Sequence, residues 1–303
     1  MAVKTVQAII NGQTVNLQYN SKSQKYEATI TAPAKSSFNI NSGHYYPVTV
    51  KATDAAGNVT TVTDQHATLG GSLKLKVKEK TPPTITIQAP TSGQLMTNSK
   101  PVIQFKVMDD DSGVNAGSIK ITIDSNEAIT EGITKNKVTG GYECSYTPAA
   151  ALTDGSHTIK IDAADNDGNK AAQKSVTFKV DTTPPALSVT APGDNAIVKT
   201  AALTVTGTTS DKTSAPVRVT VKVNSGTAEN VEVGSGGGFS REITLVEGRN
   251  TITVVATDAA GKSTTVTRTV TLDTKAPVIS AITITPNPVD AGKTYVISVE
   301  VTD

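Results

Sequence analysis

Apolar and polar side chains alternate along almost the whole chain. Runs such as His157-Thr158-Ile159-Lys160-Ile161 and Ser175-Val176-Thr177-Phe178-Lys179-Val180 put an apolar residue at every second position, and no segment sustains a 3.6-residue apolar stripe. Successive side chains of a strand point to opposite faces, so a period of two predicts half-buried strands and an all-β chain. Thr and Val dominate. Their branched Cβ suits a pleated, partly covered surface.

The predicted strands recur in one order. Val50-Lys51-Ala52-Thr53-Asp54-Ala55-Ala56-Gly57-Asn58, Ile161-Asp162-Ala163-Ala164-Asp165-Asn166-Asp167-Gly168-Asn169 and Val254-Val255-Ala256-Thr257-Asp258-Ala259-Ala260-Gly261-Lys262 each place an Asp and a Gly between two alternating runs, which reads as a β-hairpin turn. Upstream of each, an aromatic residue (Tyr26, Tyr142, Phe239) opens another strand. Further back, runs containing Val6, Ala8 and Ile10, then Ile119, Ile121 and Ile123, then Val219, Val221 and Val223, each end in a turn. An opening pair of strands precedes the second copy (84–87 with 102–107) and the third (186–189 with 203–206). That pair is missing before the first copy and returns at the end of the chain as 281–284 with 295–299.

This order divides the chain into residues 1–80, a β-sandwich domain short of its first two strands; 81–182 and 183–275, two complete domains; and 276–303, a two-strand segment. The joints are Lys80-Thr81-Pro82-Pro83, Thr182-Thr183-Pro184-Pro185 and Thr274-Lys275-Ala276-Pro277. Proline fixes φ and removes a backbone donor, so these connectors are expected to be short and stiff. The hairpin motif Ala52-Thr53-Asp54-Ala55-Ala56-Gly57-Asn58 and the joint Asp181-Thr182-Thr183-Pro184-Pro185 resemble the tandem bacterial immunoglobulin-like repeats of cell-surface proteins and of phage or phage-like tail proteins. The resemblance covers nearly the whole chain. It implies tandem immunoglobulin-like sandwiches joined by short Pro-containing linkers, and it brings no catalytic residues with it.

Candidate chemistry is sparse. The three histidines lie in unrelated contexts, no serine sits in a nucleophile elbow, and Cys144 is alone at an alternating position, so a non-enzyme is expected. Net charge is +1, with both signs interspersed, which removes the electrostatic footprint of a nucleic-acid binder. Residues 1–20 contain no apolar stretch of signal-peptide length, and no later stretch reaches membrane-span length. The expected setting is therefore a virion or tail particle assembled in the cytoplasm, with a bacterial cell-surface adhesin or carbohydrate-binding module as the alternative and an accessory domain of an enzyme as a third. Expected partners are copies of itself, other tail proteins or a host surface polymer. Sugar stacking has little to draw on, with seven Tyr, four Phe and no Trp.

One loop invites a metal. Asp109-Asp110-Asp111-Ser112-Gly113 offers three carboxylates to calcium, although the EF-hand spacing is absent and Asp is a common turn former. Counted from the joints, Asp110, Asp211 and Asp303 fall at one place, just after the second strand of each opening pair. The main expectation concerns assembly. Ile282, Ile284, Val296, Val299 and Val301 would cover the strand that carries Val6, Ala8 and Ile10. The donor is a neighbouring copy, the same chain, or neither if the chain belongs to a longer array.

Overall fold

The computed structural model describes residues 2–303. The chain forms two compact units, residues 1–180 and 181–303. The first unit holds two modules. Module one comprises β1 (Val3–Ile10), β2 (Gln13–Asn20), β3 (Lys25–Glu27), β4 (Tyr46–Asp54), β5 (Val59–Val62) and the short β6 (Lys74–Leu75). These make one antiparallel sheet in the order β3-β2-β1-β4-β5, with β6 beside β4. Asn11 and Gly12 both adopt positive φ (49° and 77°), as a two-residue hairpin needs for its turn to match strand twist. The register sets Ala8 opposite Val15 and Val50, and Val50 opposite Val62, so one face of the sheet is a continuous apolar field. Among the described residues of this module, Ala8 and Tyr46 are the buried hydrophobic side chains.

Module two adds the layer that module one lacks. Its strands are β7 (Thr84–Ala89), β8 (Leu95–Met96), β9 (Ile103–Met108), β10 (Lys120–Ile123), β11 (Thr134–Val138), β12 (Gly141–Tyr146), β13 (Gly155–Asp162) and β14 (Lys174–Val180). One sheet runs β10-β13-β14-β8, and the other runs β11-β12-β9-β7. Ile103, Phe105 and Val107 of the second sheet pack with Ile121, Ile159, Ile161 and Phe178 of the first. Each alternate position becomes core because both faces of the gap are apolar.

The second unit repeats the plan in a third module. β15 (Ala186–Ala191), β16 (Ala196–Val198), β17 (Ala202–Ser210), β18 (Arg218–Val223), β19 (Glu229–Val231), β20 (Gly238–Thr244), β21 (Gly248–Thr257) and β22 (Ser263–Leu272) form sheets β15-β17-β20 and β16-β22-β21-β18-β19. They close on Val205, Val219, Ile252, Val254 and Val270. Gly207 in β17 leaves room for the Phe239 ring, which would lie 2.4 Å from any added Cβ. Finally β23 (Val278–Thr285) and β24 (Val296–Thr302) form a two-stranded sheet of their own. No helix among the described residues is long and apolar enough to cross a membrane.

Candidate functional site

Two features stand out, a pair of exposed apolar β surfaces and a repeated acidic cluster. On β23 and β24 the pairs Ile279–Val301, Ile282–Val299 and Ile284–Ile297 share one face of the ribbon. In a complete module this face is core. The pair in module two that matches Ile279–Val301 is Ile85–Val107, both buried, whereas Ile279 is 59% exposed and Val301 55% exposed. Ile282, Ile284, Val299 and Val301 are thus brought together as anticipated by alternation. Val296 is not, because it pairs with Thr285 on the opposite face and Ile297 takes its place. Residues three apart, such as 296 and 299, cannot share a face of a regular strand.

The sheet of module one carries an apolar face of its own. Val6, Ala8 and Ile10 lie on its apolar face together with Leu17, Val15, Ala52, Val50 and Val48 across the register. Ile10 and Val15 line an open cleft with Ile30, Pro33 and Leu75. At the end of that sheet, β3 pairs with β2 only, leaving its other edge free. In module two the corresponding strand β12 lies between β11 and β9.

The acidic clusters sit where a joint, the end of an opening strand pair and a hairpin turn converge. In the first unit the carboxylate oxygens of Glu79, Asp109 and Asp165 lie within 4.8 Å of one another; in the second, those of Asp181, Asp211 and Asp258 do. The strand register explains the repeat. Thr84 opposite Met108, Ala186 opposite Ser210 and Val278 opposite Thr302 are equivalent pairs, so Asp109, Asp211 and Asp303 follow at one position. Asp110, expected at this position, falls one residue beyond it, since the three opening pairs span equal lengths of chain.

Of the acidic loop singled out in the sequence, only Asp109 joins a cluster; Asp110 is exposed, and Asp111 Oδ1 accepts from the Ser36 amide at 3.0 Å. Asp109 Oδ1 accepts from the amides of Asp111 (3.1 Å) and Gly113 (2.6 Å). Asn169 Nδ2 donates to Asp165 Oδ2 (2.6 Å) and Glu79 Oε1 (3.1 Å), and Ser112 Oγ donates to Glu79 Oε1 (3.3 Å). Burial, with Asp165 beside it, raises the Glu79 carboxyl above its ordinary range. Burial works against ionisation of Asp165 too, but hydrogen bonds from Glu79 and Asn169 outweigh it and hold that carboxyl low. Sequence reasoning read the recurring Asp of the hairpin as a turn device and missed its convergence with the joint. Aligning Glu79 with Asp181 and Asp273 would have found it.

The remaining chemistry is structural. Cys144 is buried, and burial pushes its thiol up to about 11, far from a reactive thiolate. His157 joins Asp124 (2.9 Å) and the Thr153 carbonyl (2.7 Å). His66 Nδ1 accepts from the Leu69 amide at 3.2 Å.

The comparisons with known proteins follow this architecture. Residues 82–182 match the family described as bacterial Ig-like domain, and residues 185–274 match glucodextranase domain B. A stretch of 171 residues is 31% identical to bacillopeptidase F of Bacillus subtilis (strain 168), which is 54% of this chain and 11% of that protein. Among solved structures, the fibronectin(III)-like modules of Clostridium thermocellum CbhA are 21% identical, with 62% of this chain and 94% of that one covered and a TM-score of 0.34. Rst D1-D2 is 12% identical, with 62% and 99% covered and a TM-score of 0.40. The chain is an all-β tandem of immunoglobulin-like repeats. It spans about a tenth of the bacillopeptidase to which it is similar.

Proposed function

We propose that this chain is a non-catalytic structural protein whose immunoglobulin-like repeats join by strand complementation, the ribbon of one copy completing module one of the next. The observation that carries this is the pair of partly exposed apolar faces, one on the ribbon and one on module one. With β24 added to the free edge of β3, the order becomes β2-β3-β24-β23, which is the order β11-β12-β9-β7 of the closed module. Main-chain pairing at an open edge supplies affinity, and the apolar face supplies register. Ile279, Ile282, Ile284, Ile297, Val299 and Val301 are each worth about 1.5–3 kcal/mol on full burial. Together they come to about 9–18 kcal/mol, the same size as the roughly 4–15 kcal/mol that association costs in lost freedom.

The resulting array would act as a spacer or display stalk outside the bacterial cell, the setting favoured by the likeness to bacterial Ig-like domains and to part of bacillopeptidase F, rather than the virion. The test is the native mass of the full chain over a concentration series, by sedimentation. Mass should rise with concentration for the parent and stay monomeric both for a chain lacking residues 276–303 and for Val299→Asp. That substitution lies on an exposed ribbon position, so it leaves the isolated fold intact. A parent that stays monomeric throughout sinks the interchain reading.

A further inference from the structure

One carboxylate oxygen in the third module has been buried without a partner. Asp258 is 6% exposed; its Oδ1 accepts the Lys262 amide at 2.9 Å, and its Oδ2 meets no donor. The equivalent turns show what is missing. Asp54 Oδ2 receives the Asn58 side-chain amide at 2.9 Å and Asp165 Oδ2 that of Asn169 at 2.6 Å, but the third turn carries Lys262 where the others carry Asn. Lys262 meets this carboxylate through its backbone amide at Oδ1, and no side chain donates a hydrogen bond to Oδ2.

The orphaned oxygen belongs to a group of three acids. Asp181 is 0% exposed, Asp211 is half-buried, and one oxygen from each of Asp181, Asp211 and Asp258 lies within 4.8 Å of the others. Ser214 Oγ donates to Asp181 Oδ2 and the Thr183 amide to Asp181 Oδ1 (3.2 Å), while Asp211 Oδ1 accepts the Thr213 and Ser214 amides at 2.8 and 2.7 Å. These donors leave three carboxylates facing one another in a region of low dielectric, where like charges repel strongly. A cation resolves both the repulsion and the unmet acceptor.

The donor set selects the cation. Every ligand atom is a hard oxygen, with no imidazole or thiolate, which suits calcium and not zinc. Calcium–oxygen distances of about 2.3–2.6 Å place ligands on opposite sides of the ion about 4.6–5.2 Å apart, a span that the observed cluster fits. We propose that Asp181, Asp211 and Asp258 form a calcium site in the third module. It uses none of Asp109, Asp110 or Asp111, and it does not depend on strand complementation.

The test is a calcium chloride titration of the chelator-treated full chain, read by the backbone amide resonances of Thr213, Ser214 and Lys262. These amides bond to the proposed ligands, so they report this site and not the Glu79 cluster. In the parent they should shift and saturate. In Asp181→Asn and in Asp258→Asn the calcium-induced shifts should be lost, while both variants keep their fold by circular dichroism. Asp258→Asn removes a buried charge, so its thermal midpoint in chelator should equal or exceed that of the parent, and added calcium should no longer raise it. If either variant fails to fold, the half-buried Asp211→Asn takes its place. Amides that do not respond to calcium in the folded parent, or that respond equally in the variants, overturn the assignment.

Discussion

Modules one and two carry the same central strands, yet one has a core and the other a bare face. Val50 in β4 and Ile161 in β13 stand four residues before the equivalent turn aspartates, Asp54 and Asp165. Ile161 is 0% exposed, whereas Val50 is only half-buried. The two strands differ little in pattern, so what separates them is the second layer, which β7 and β9 supply in one module and no strand of module one supplies in the other. Alternation makes a surface fit for burial; a partner sheet makes it a core.

That contrast can be broken by mutation. Ile161→Ala should cost about 2–5 kcal/mol in urea unfolding, since it opens a cavity in a closed interior. Val50→Ala should cost roughly 1 kcal/mol, two half-covered methyl groups at about 0.8 kcal/mol per buried CH2. Equal costs would mean that module one is already closed in solution. Dilution sharpens the same point. If a neighbouring copy covers module one, its unfolding transition should weaken by about 1.4 kcal/mol per tenfold dilution, with the transition of module two unmoved. Fluorescence from a probe in each module distinguishes the two.

The smallest effect is one of pH, in the covered module. Burial disfavours the charged ring of His157, but the Thr153 carbonyl and the Asp124 carboxylate outweigh it and raise its pKa above the ordinary 6.5. A raised folded-state value means that this contribution is complete below pH 6.5 and fades as pH rises through the folded value. Module two should therefore lose a little stability above neutrality, and His157→Asn should flatten that slope.

Much of this architecture was legible in the chain. The three Asp-Gly hairpins, the Pro joints and the displaced opening pair are set by local turn chemistry and period-two patterning, which need no knowledge of distant contacts. What escaped was decided by pairing. The strand pairs put Ile297 opposite Ile284 and Asp109 level with Asp211, each one residue from the expected Val296 and Asp110. The acidic clusters were hidden for the same reason. Glu79, Asp109 and Asp165 are far apart in sequence and meet only when the joint, a strand end and a turn are folded onto one another. The Asn-to-Lys change at residue 262 looks neutral on paper, and only the hydrogen bonds of Asn58 and Asn169 show what was lost.

The ribbon and the free edge of β3 are different surfaces on one polypeptide, so a growing filament would have polarity. One terminus would display a naked ribbon and the other an open groove, and subunits could add at both. A copy trimmed of residues 276–303 would still accept a neighbour while offering nothing onward, making it a stopper for one terminus only. Mixed in trace amounts with intact protein, such a copy should shorten filaments without changing the fold of any subunit.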